Sequence, residues 1–381
     1  MIHLKNMCLV VLIMINFIRC TEIYQPILDS KADALIVEGL ITDGTGPFTV
    51  NLTKSVLFNS DSTSLINNEK GAMLTVTDNE NNTFELTETG SGKYTLPISF
   101  KAKTGNSYKL HIQTTDGSIY ESNIQKLLPP QSYDSIHGSY TTEGYIDMNN
   151  VYKKVGGANI QEDLFKSVSM SDSDSFPTCR FNSNITVQYL YTLYMLSQTD
   201  WHWVYFGWVS FPFNNVENIT DEKSLSSNTI IKNHSLGFMP FETSSYGFST
   251  PGSTSVIYYL RVNQYTMNHD SYLFYKGANN QLAASGKIFD PVTAQLYGNM
   301  KCVNNPSKTV LGLFEVSSVI KQAFVVRNIP TDNSIIITKT HYIDFPNTRS
   351  AEYKVCDGNP MAKPDDPTFN YIPVPDWWYH N

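Results

Sequence analysis

Residues 34–56 read ALIVEGLITDGTGPFTVNLTKSV. Two runs rich in Leu, Ile, Val, Thr and Phe flank Asp43-Gly44-Thr45-Gly46-Pro47, a cluster of turn-forming residues. This is the pattern of two short strands joined by a turn, and it repeats along the chain. AMLTVTD (72–78) and TFELTE (83–88) flank Asn79–Asn82. KYTLPISF (93–100) follows Gly90-Ser91-Gly92, and SYKLHIQTT (107–115) and SIYESNIQ (118–125) flank Asp116-Gly117. About seven β runs with a turn every ~8–15 residues predict an immunoglobulin-like β-sandwich over residues 34–128.

Leu127-Leu128-Pro129-Pro130 closes that unit, because tandem prolines remove backbone donors and stiffen the chain. Beyond it, ITVQYLYTLYML (185–196), WHWVYFGWVSF (201–211), VIYYLRVNQYT (256–266), KTVLGLFEVSSVIKQAFVV (308–326) and SIIITKTHYI (334–343) are again β runs. HDSYLFYKGANN (269–280) has helical character. Residues 129–381 are therefore predicted to form a larger β-rich domain with one or two short helices, making the chain mainly β.

The other end of the chain sets an address. Lys5 precedes an apolar run from Cys8 to Ile18 that ends at Cys20. A run of ~11 residues is too short for the ~20 that cross a bilayer as a helix, and it fits a signal peptide over residues 1–19. A signal peptide that stops at a cysteine points to a bacterial lipoprotein acylated on Cys20, with residues 20–33 as its tether. Arg19 stands where a small residue usually precedes the lipidated cysteine, so ordinary cleavage nearby is the other reading. Such a chain would be lipid-anchored in the cell envelope, on the surface or the periplasmic face of its membrane.

In the 381 residues, Lys+Arg 27 against Asp+Glu 35 leaves a net charge of −8. An acidic chain is a poor partner for nucleic acid, whose phosphates need a basic surface. Charged residues are 16% of the chain, against about 25% in a usual globular protein, and aromatics reach 13%. Such a composition supports a packed, extracytoplasmic β protein.

No motif carries catalysis. Thr89-Gly90-Ser91-Gly92-Lys93-Tyr94 lacks the leading Gly and trailing Ser/Thr of a phosphate loop and reads as a hairpin turn. Gly247-Phe248-Ser249-Thr250-Pro251 lacks the closing Gly of a nucleophile elbow. The eight His are scattered without metal-ligand spacing, so neither a metal nor a cofactor is expected. With Cys8 and Cys20 accounted for, Cys179, Cys302 and Cys356 allow at most one internal disulfide, for which Cys302 with Cys356 is the favoured pair.

The densest aromatic block runs from Tyr189 to Phe213. On a strand, Trp201, Trp203 and Tyr205 share one face, and His202, Val204, Phe206 and Trp208 the other. These aromatics fill the domain's own core, anchor a protein interface, or form a glycan platform. Trp377 and Trp378 near the C-terminus invite the same alternatives.

The order of landmarks in the second half resembles a known family. Gly286-Lys287-Ile288-Phe289-Asp290-Pro291 precedes Tyr297-Gly298-Asn299-Met300-Lys301-Cys302. Val310-Leu311-Gly312-Leu313-Phe314, Cys356-Asp357-Gly358 and Pro375-Asp376-Trp377-Trp378 follow. With Leu35–Asp43 at the start, the chain resembles an uncharacterised Bacteroidota envelope-lipoprotein family that bears a domain-of-unknown-function label in the four-thousands. The resemblance implies a non-enzymatic outer-membrane lipoprotein, accessory to a TonB-dependent receptor or other outer-membrane β-barrel machine and acting by protein or cargo binding. The alternative is a stand-alone surface lipoprotein that binds a glycan or peptide. Asp134-Ser135-Ile136 also matches a short O-glycosylation signal used in that phylum, which makes Ser135 a candidate modified residue.

Overall fold

The computed structural model describes residues 34–55, 67–146, 151–165, 179–194, 202–212, 218–220, 230–241, 257–284, 296, 298–329, 332–342 and 350–355. The expected signal peptide, Cys20 and the expected tether lie outside them, as do Trp201, Cys356, Trp377 and Trp378. The protein is mainly β, as its alternating runs predict. In the first half lie β1 (Leu35–Thr42), β2 (Thr49–Lys54), β3 (Asn67–Asn68), β4 (Met73–Asp78), β5 (Thr83–Gly90), β6 (Lys93–Thr95), β7 (Ser107–Gln113), β8 (Ile119–Ser122) and β9 (Gln125–Lys126). Then come β10 (Ser132–Ile146), β11 (Tyr152–Phe165), β12 (Cys179–Tyr194), β13 (His202–Pro212), β14 (Asn218–Ile219), β15 (Ile230–Pro240) and β16 (Ile257–Thr266). Helix α1 (His269–Ala284) precedes β17 (Met300–Cys302), β18 (Val310–Ile329), β19 (Ser334–Thr340) and β20 (Ser350–Val355). Among the described residues α1 is the one helix, and it covers the stretch with helical character in the sequence.

The first half folds as two β layers around one core. β1, β2 and β6 pair in one layer and β4, β7 and β8 in the other, while β5 pairs with both β4 and β6 and so passes between them. Alternation along β7 shows why: Tyr108, Leu110 and Ile112 are buried and the residues between them are half-exposed. They meet Leu35, Val37, Leu52 and Leu74 in the core, where each fully buried Leu or Ile stabilises by ~1.5–3 kcal/mol. The Gly90–Gly92 stretch is the β5–β6 hairpin turn that its sequence predicts.

Residues 34–128 do not complete these layers alone. β17 extends the second layer by pairing with β8, and the first part of β18 runs parallel to β1, Leu35↔Val310 through Thr42↔Ser317. Met300, Cys302, Val310, Phe314 and Val316 thereby enter the first core. A sequence reading that follows neighbouring runs misses this, because the parallel pairing joins segments more than 270 residues apart.

β18 then leaves the first core and enters a second. Its later half pairs with β16 and β19, and the order continues from β16 to β12, β13 and β20. A separate sheet, β10–β11–β15, faces this one across Ala158, Ile160, Leu164, Phe181, Leu260, Val262 and Phe324. The two sheets also meet at their margins. A Cβ on Gly138 of β10 would touch Ile335 and Ile337 of β19 at 3.1–3.2 Å. On the other side Asn218 Nδ2 donates to the carbonyls of Ser235 (2.9 Å) and Leu236 (3.2 Å). The result is a curled half-barrel. The Pro129-Pro130 junction is docked between the cores: Leu127 and Leu128 are buried, the Gln131 amide donates to Thr266 Oγ1 (2.8 Å), and its carbonyl accepts from Gln264 Nε2 (3.0 Å).

Two ribbons run past this half-barrel. Among the described residues β12 pairs with β16 as far as Val187, and its later residues, with β13 and β20, form a three-stranded extension. Among the described residues β11 pairs with β15 from Gly157 onward, and the end of the β10–β11 hairpin lies beyond that pairing.

Candidate functional site

A cleft of about 610 Å³ lies where α1 crosses the outer face of the β1–β18 pair. Strand alternation builds its floor. Val37 and Ile41 of β1 point into the first core, which leaves Ile36, Glu38 and Leu40 on the cleft side. Leu311, Leu313 and Glu315 of β18 and Thr49 and Asn51 of β2 extend the floor, while Phe274 and Tyr275 of α1 with Leu296 form the wall. Its volume suits a small organic ligand or one stretch of peptide.

The closed end of the cleft is polar. Glu315 is buried and accepts from three donors: Arg180 Nη2 (3.1 Å) and the Tyr275 hydroxyl (2.7 Å) on Oε2, and the Ser317 hydroxyl (2.7 Å) on Oε1. The Arg180 guanidinium carbon sits 4.2 Å from the Tyr265 ring centroid and 4.8 Å from that of Tyr275. Two rings and a carboxylate therefore fix this buried cation at the end of an apolar trough. A preorganised charge pair beside a floor of mixed apolar and polar side chains would suit a ligand with an apolar body and a hydrogen-bonding head.

Three sequence landmarks converge here. Gly312 has φ +88°, and a Cβ on it would strike the Val37 carbonyl, so a glycine is required where β18 meets β1. A Cβ on Gly298 would in turn strike the Gly312 carbonyl. Beside it, Asn299 acts as a substitute strand for β18: its Nδ2 donates to the Phe314 carbonyl (2.8 Å) and its Oδ1 accepts from the Phe314 amide (3.0 Å). At the end of β1, Asp43 Oδ1 accepts from the Val319 amide (2.8 Å). The stretches Leu35–Asp43, Gly298–Cys302 and Val310–Phe314 thus form one scaffold under the cleft.

A family profile described as Domain of unknown function (DUF4249) matches residues 21–323. The chain belongs to that family. The match includes the whole cleft floor, Arg180 and α1. No curated protein and no solved structure matches the chain.

The residues singled out by sequence fall elsewhere. Trp203, Tyr205 and Trp208 lie on β13 within the projecting extension, at register positions opposite Leu193, Tyr191 and Gln188 of β12 and Val355, Tyr353 and Ser350 of β20. Ser135 is exposed at an irregularity of β10. Cys302 is a buried free thiol whose Sγ lies 3.4 Å from Asn304 Oδ1, and its expected partner Cys356 lies outside the described residues. Among the described residues no group of three or more His, Cys, Asp or Glu is placed to hold a metal ion, and no helix is long and apolar enough to cross a membrane. Among the described residues, none of the sequence candidates lines the cleft.

Sequence reasoning missed Arg180, Tyr265, Tyr275 and Glu315. One signal was available: Glu315 sits inside the long β run Val310–Val326, and a carboxylate inside a buried strand needs a cation. A second buried acid, Glu162, lies among Ala158, Ile160 and Leu164 of β11. Neither of its oxygens has a hydrogen-bond partner, and burial, with Asp163 beside it, pushes its pKa up to about 8. Nearby Cys179 is pushed up to about 12, chiefly by burial. This acid belongs to the second core, away from the cleft.

Proposed function

We propose that this protein is a lipid-anchored outer-membrane component that acts by binding, as an accessory to a TonB-dependent receptor or another outer-membrane β-barrel machine. The leader that ends at Cys20 supports the anchor. The observation that carries the docking reading is the extension made by β12, β13 and β20. It runs past the half-barrel and carries the most aromatic stretch of the sequence, with Tyr205 opposite Tyr191 and Tyr353 and with Trp203 opposite Leu193. Aromatic side chains dominate the energetics of protein interfaces, so the most aromatic stretch of the sequence is the natural candidate for one.

The test is capture of natively expressed, C-terminally tagged protein from detergent-solubilised envelope, followed by mass spectrometry. The expected result is a near-stoichiometric β-barrel partner. Recovery of the protein alone would reject docking.

The cleft favours a second reading, a stand-alone surface protein that holds a glycan or peptide ligand. The supporting observation is Arg180, fixed between Tyr265, Tyr275 and Glu315 at the end of the leucine-lined trough. Titration of intrinsic fluorescence with peptide and glycan panels tests it in the absence of any partner. A saturable change lost in Leu313→Asp supports the cleft, and silence across both panels rejects it.

A further inference from the structure

The projecting end of the β10–β11 hairpin belongs to neither the cleft nor the β13 extension. Tyr140↔Ala158, Thr142↔Gly156, Gly144↔Lys154 and Ile146↔Tyr152 are successive rows on one face of this hairpin. Tyrosine rings on a strand normally stand away from the sheet. Here two glycines let them reach across the neighbouring rows: a Cβ on Gly144 would collide with the Tyr152 ring, and one on Gly156 with the Tyr140 hydroxyl. The rings come from opposite strands and cover adjacent rows, roughly 7 Å apart along the ribbon. Tyr152 is 64% exposed and Tyr140 38%. Tyr140 is also rooted, because its ring stacks on Phe241 at 6.4 Å and Phe241 packs on the buried Tyr258 at 5.8 Å.

The same face offers exposed Thr142 and Lys154, while alternation assigns Glu143 to the opposite face. On a chain of net charge −8, this face of the ribbon is cationic rather than acidic. A pyranose ring has a flat face of C–H bonds that packs on an aromatic ring, and a rim of hydroxyls that need hydrogen-bonding neighbours. Two exposed tyrosines that reach over adjacent rows, flanked by a hydroxyl and an ammonium group, match consecutive sugars of a chain. Protein interfaces instead concentrate their energy in residues that enter closed, desolvated pockets.

We propose that this face is a glycan-binding ledge, on which Tyr140 and Tyr152 stack consecutive pyranoses of an acidic polysaccharide and Lys154 meets its carboxylate or other acidic group. It goes beyond both functional readings and shares no residue with either site, so a protein that captures a β-barrel partner but no polysaccharide would fail this proposal alone.

The test uses the full mature chain in isothermal titration at low salt, with alginate oligomers as the acidic probe and dextran oligomers as the neutral one. The expected result is alginate binding that weakens ~tenfold in Tyr152→Ala, as loss of one stacked ring would cause. Lys154→Gln should weaken it too and flatten its dependence on salt. Because Tyr152 is largely exposed, thermal unfolding should be nearly unchanged in Tyr152→Ala, separating lost binding from lost fold. Absence of alginate binding, equal affinity for dextran, or unchanged affinity in Tyr152→Ala would each overturn the proposal.

Discussion

At the scale of single residues, two buried acids follow opposite physical logic. Glu315 pairs with Arg180 and is held by two hydroxyls, so each partner offsets the desolvation of the other. Arg180→Met leaves that carboxylate without its cation and should cost on the order of 3–5 kcal/mol in urea unfolding. Adding Glu315→Gln should restore a large part of the loss, and a double variant as unstable as the sum of the singles would show that the pair is not coupled. Glu162 has no such partner and keeps its proton in the folded state to about pH 8. Below the ordinary carboxyl pKa of 4.5 both states hold that proton and the group is neutral in its effect. As pH rises towards 8 the unfolded chain releases it while the folded chain retains it, so stability falls across that window. Glu162→Gln should flatten the decline between pH 5 and 8 and raise stability at pH 8, by roughly 2–3 kcal/mol. An unchanged pH profile in urea titrations would show that Glu162 is not the group responsible.

At the scale of elements, what the sequence reveals depends on how far apart the partners lie. The runs of residues 34–125 were legible because alternation and turn chemistry are local; LIVEGLIT and SYKLHIQ became β1 and β7 with the expected faces buried. The helix at His269–Ala284 was legible for the same reason. What local pattern cannot convey is that β18 serves both cores or that Asn299 stands in for a strand beside it. Nor does it bring Arg180 to Glu315, since that contact joins positions 135 residues apart. The aromatic block drew attention because composition marks it, whereas the cleft is made of ordinary Leu, Ile and Tyr that only the fold assembles. The glycine-rich landmarks were readable as an ordered set before their purpose was, which is a close approach of backbones beneath the cleft. Asn299→Ala tests that account. Both of its hydrogen bonds to Phe314 are buried, so the expected loss is ~3 kcal/mol of unfolding free energy. A loss under ~1 kcal/mol would mean that water replaces the amide and that it does not brace β18.

At the scale of the whole molecule, the first core borrows strands from the far end of the chain, and a single strand ties it to the second core. A fragment of residues 34–128 would expose the edge of β1 that β18 covers and the edge of β8 that β17 covers. It should therefore be poorly folded by circular dichroism and prone to associate, whereas a chain that includes residues 300–329 should unfold cooperatively. A stable, monomeric 34–128 fragment would contradict this dependence. The same architecture carries both proposed binding sites. The cleft rests on the scaffold that the two halves build together, and the β13 extension runs outward from the second core. The central claim, that this architecture presents the extension to an outer-membrane β-barrel, is most directly tested by photocrosslinking in intact cells with benzoylphenylalanine in place of Tyr205. The expected result is one discrete adduct with a β-barrel protein, absent when the probe replaces Lys109 of β7. No adduct from position 205, or the same faint ladder from both positions, would contradict the account.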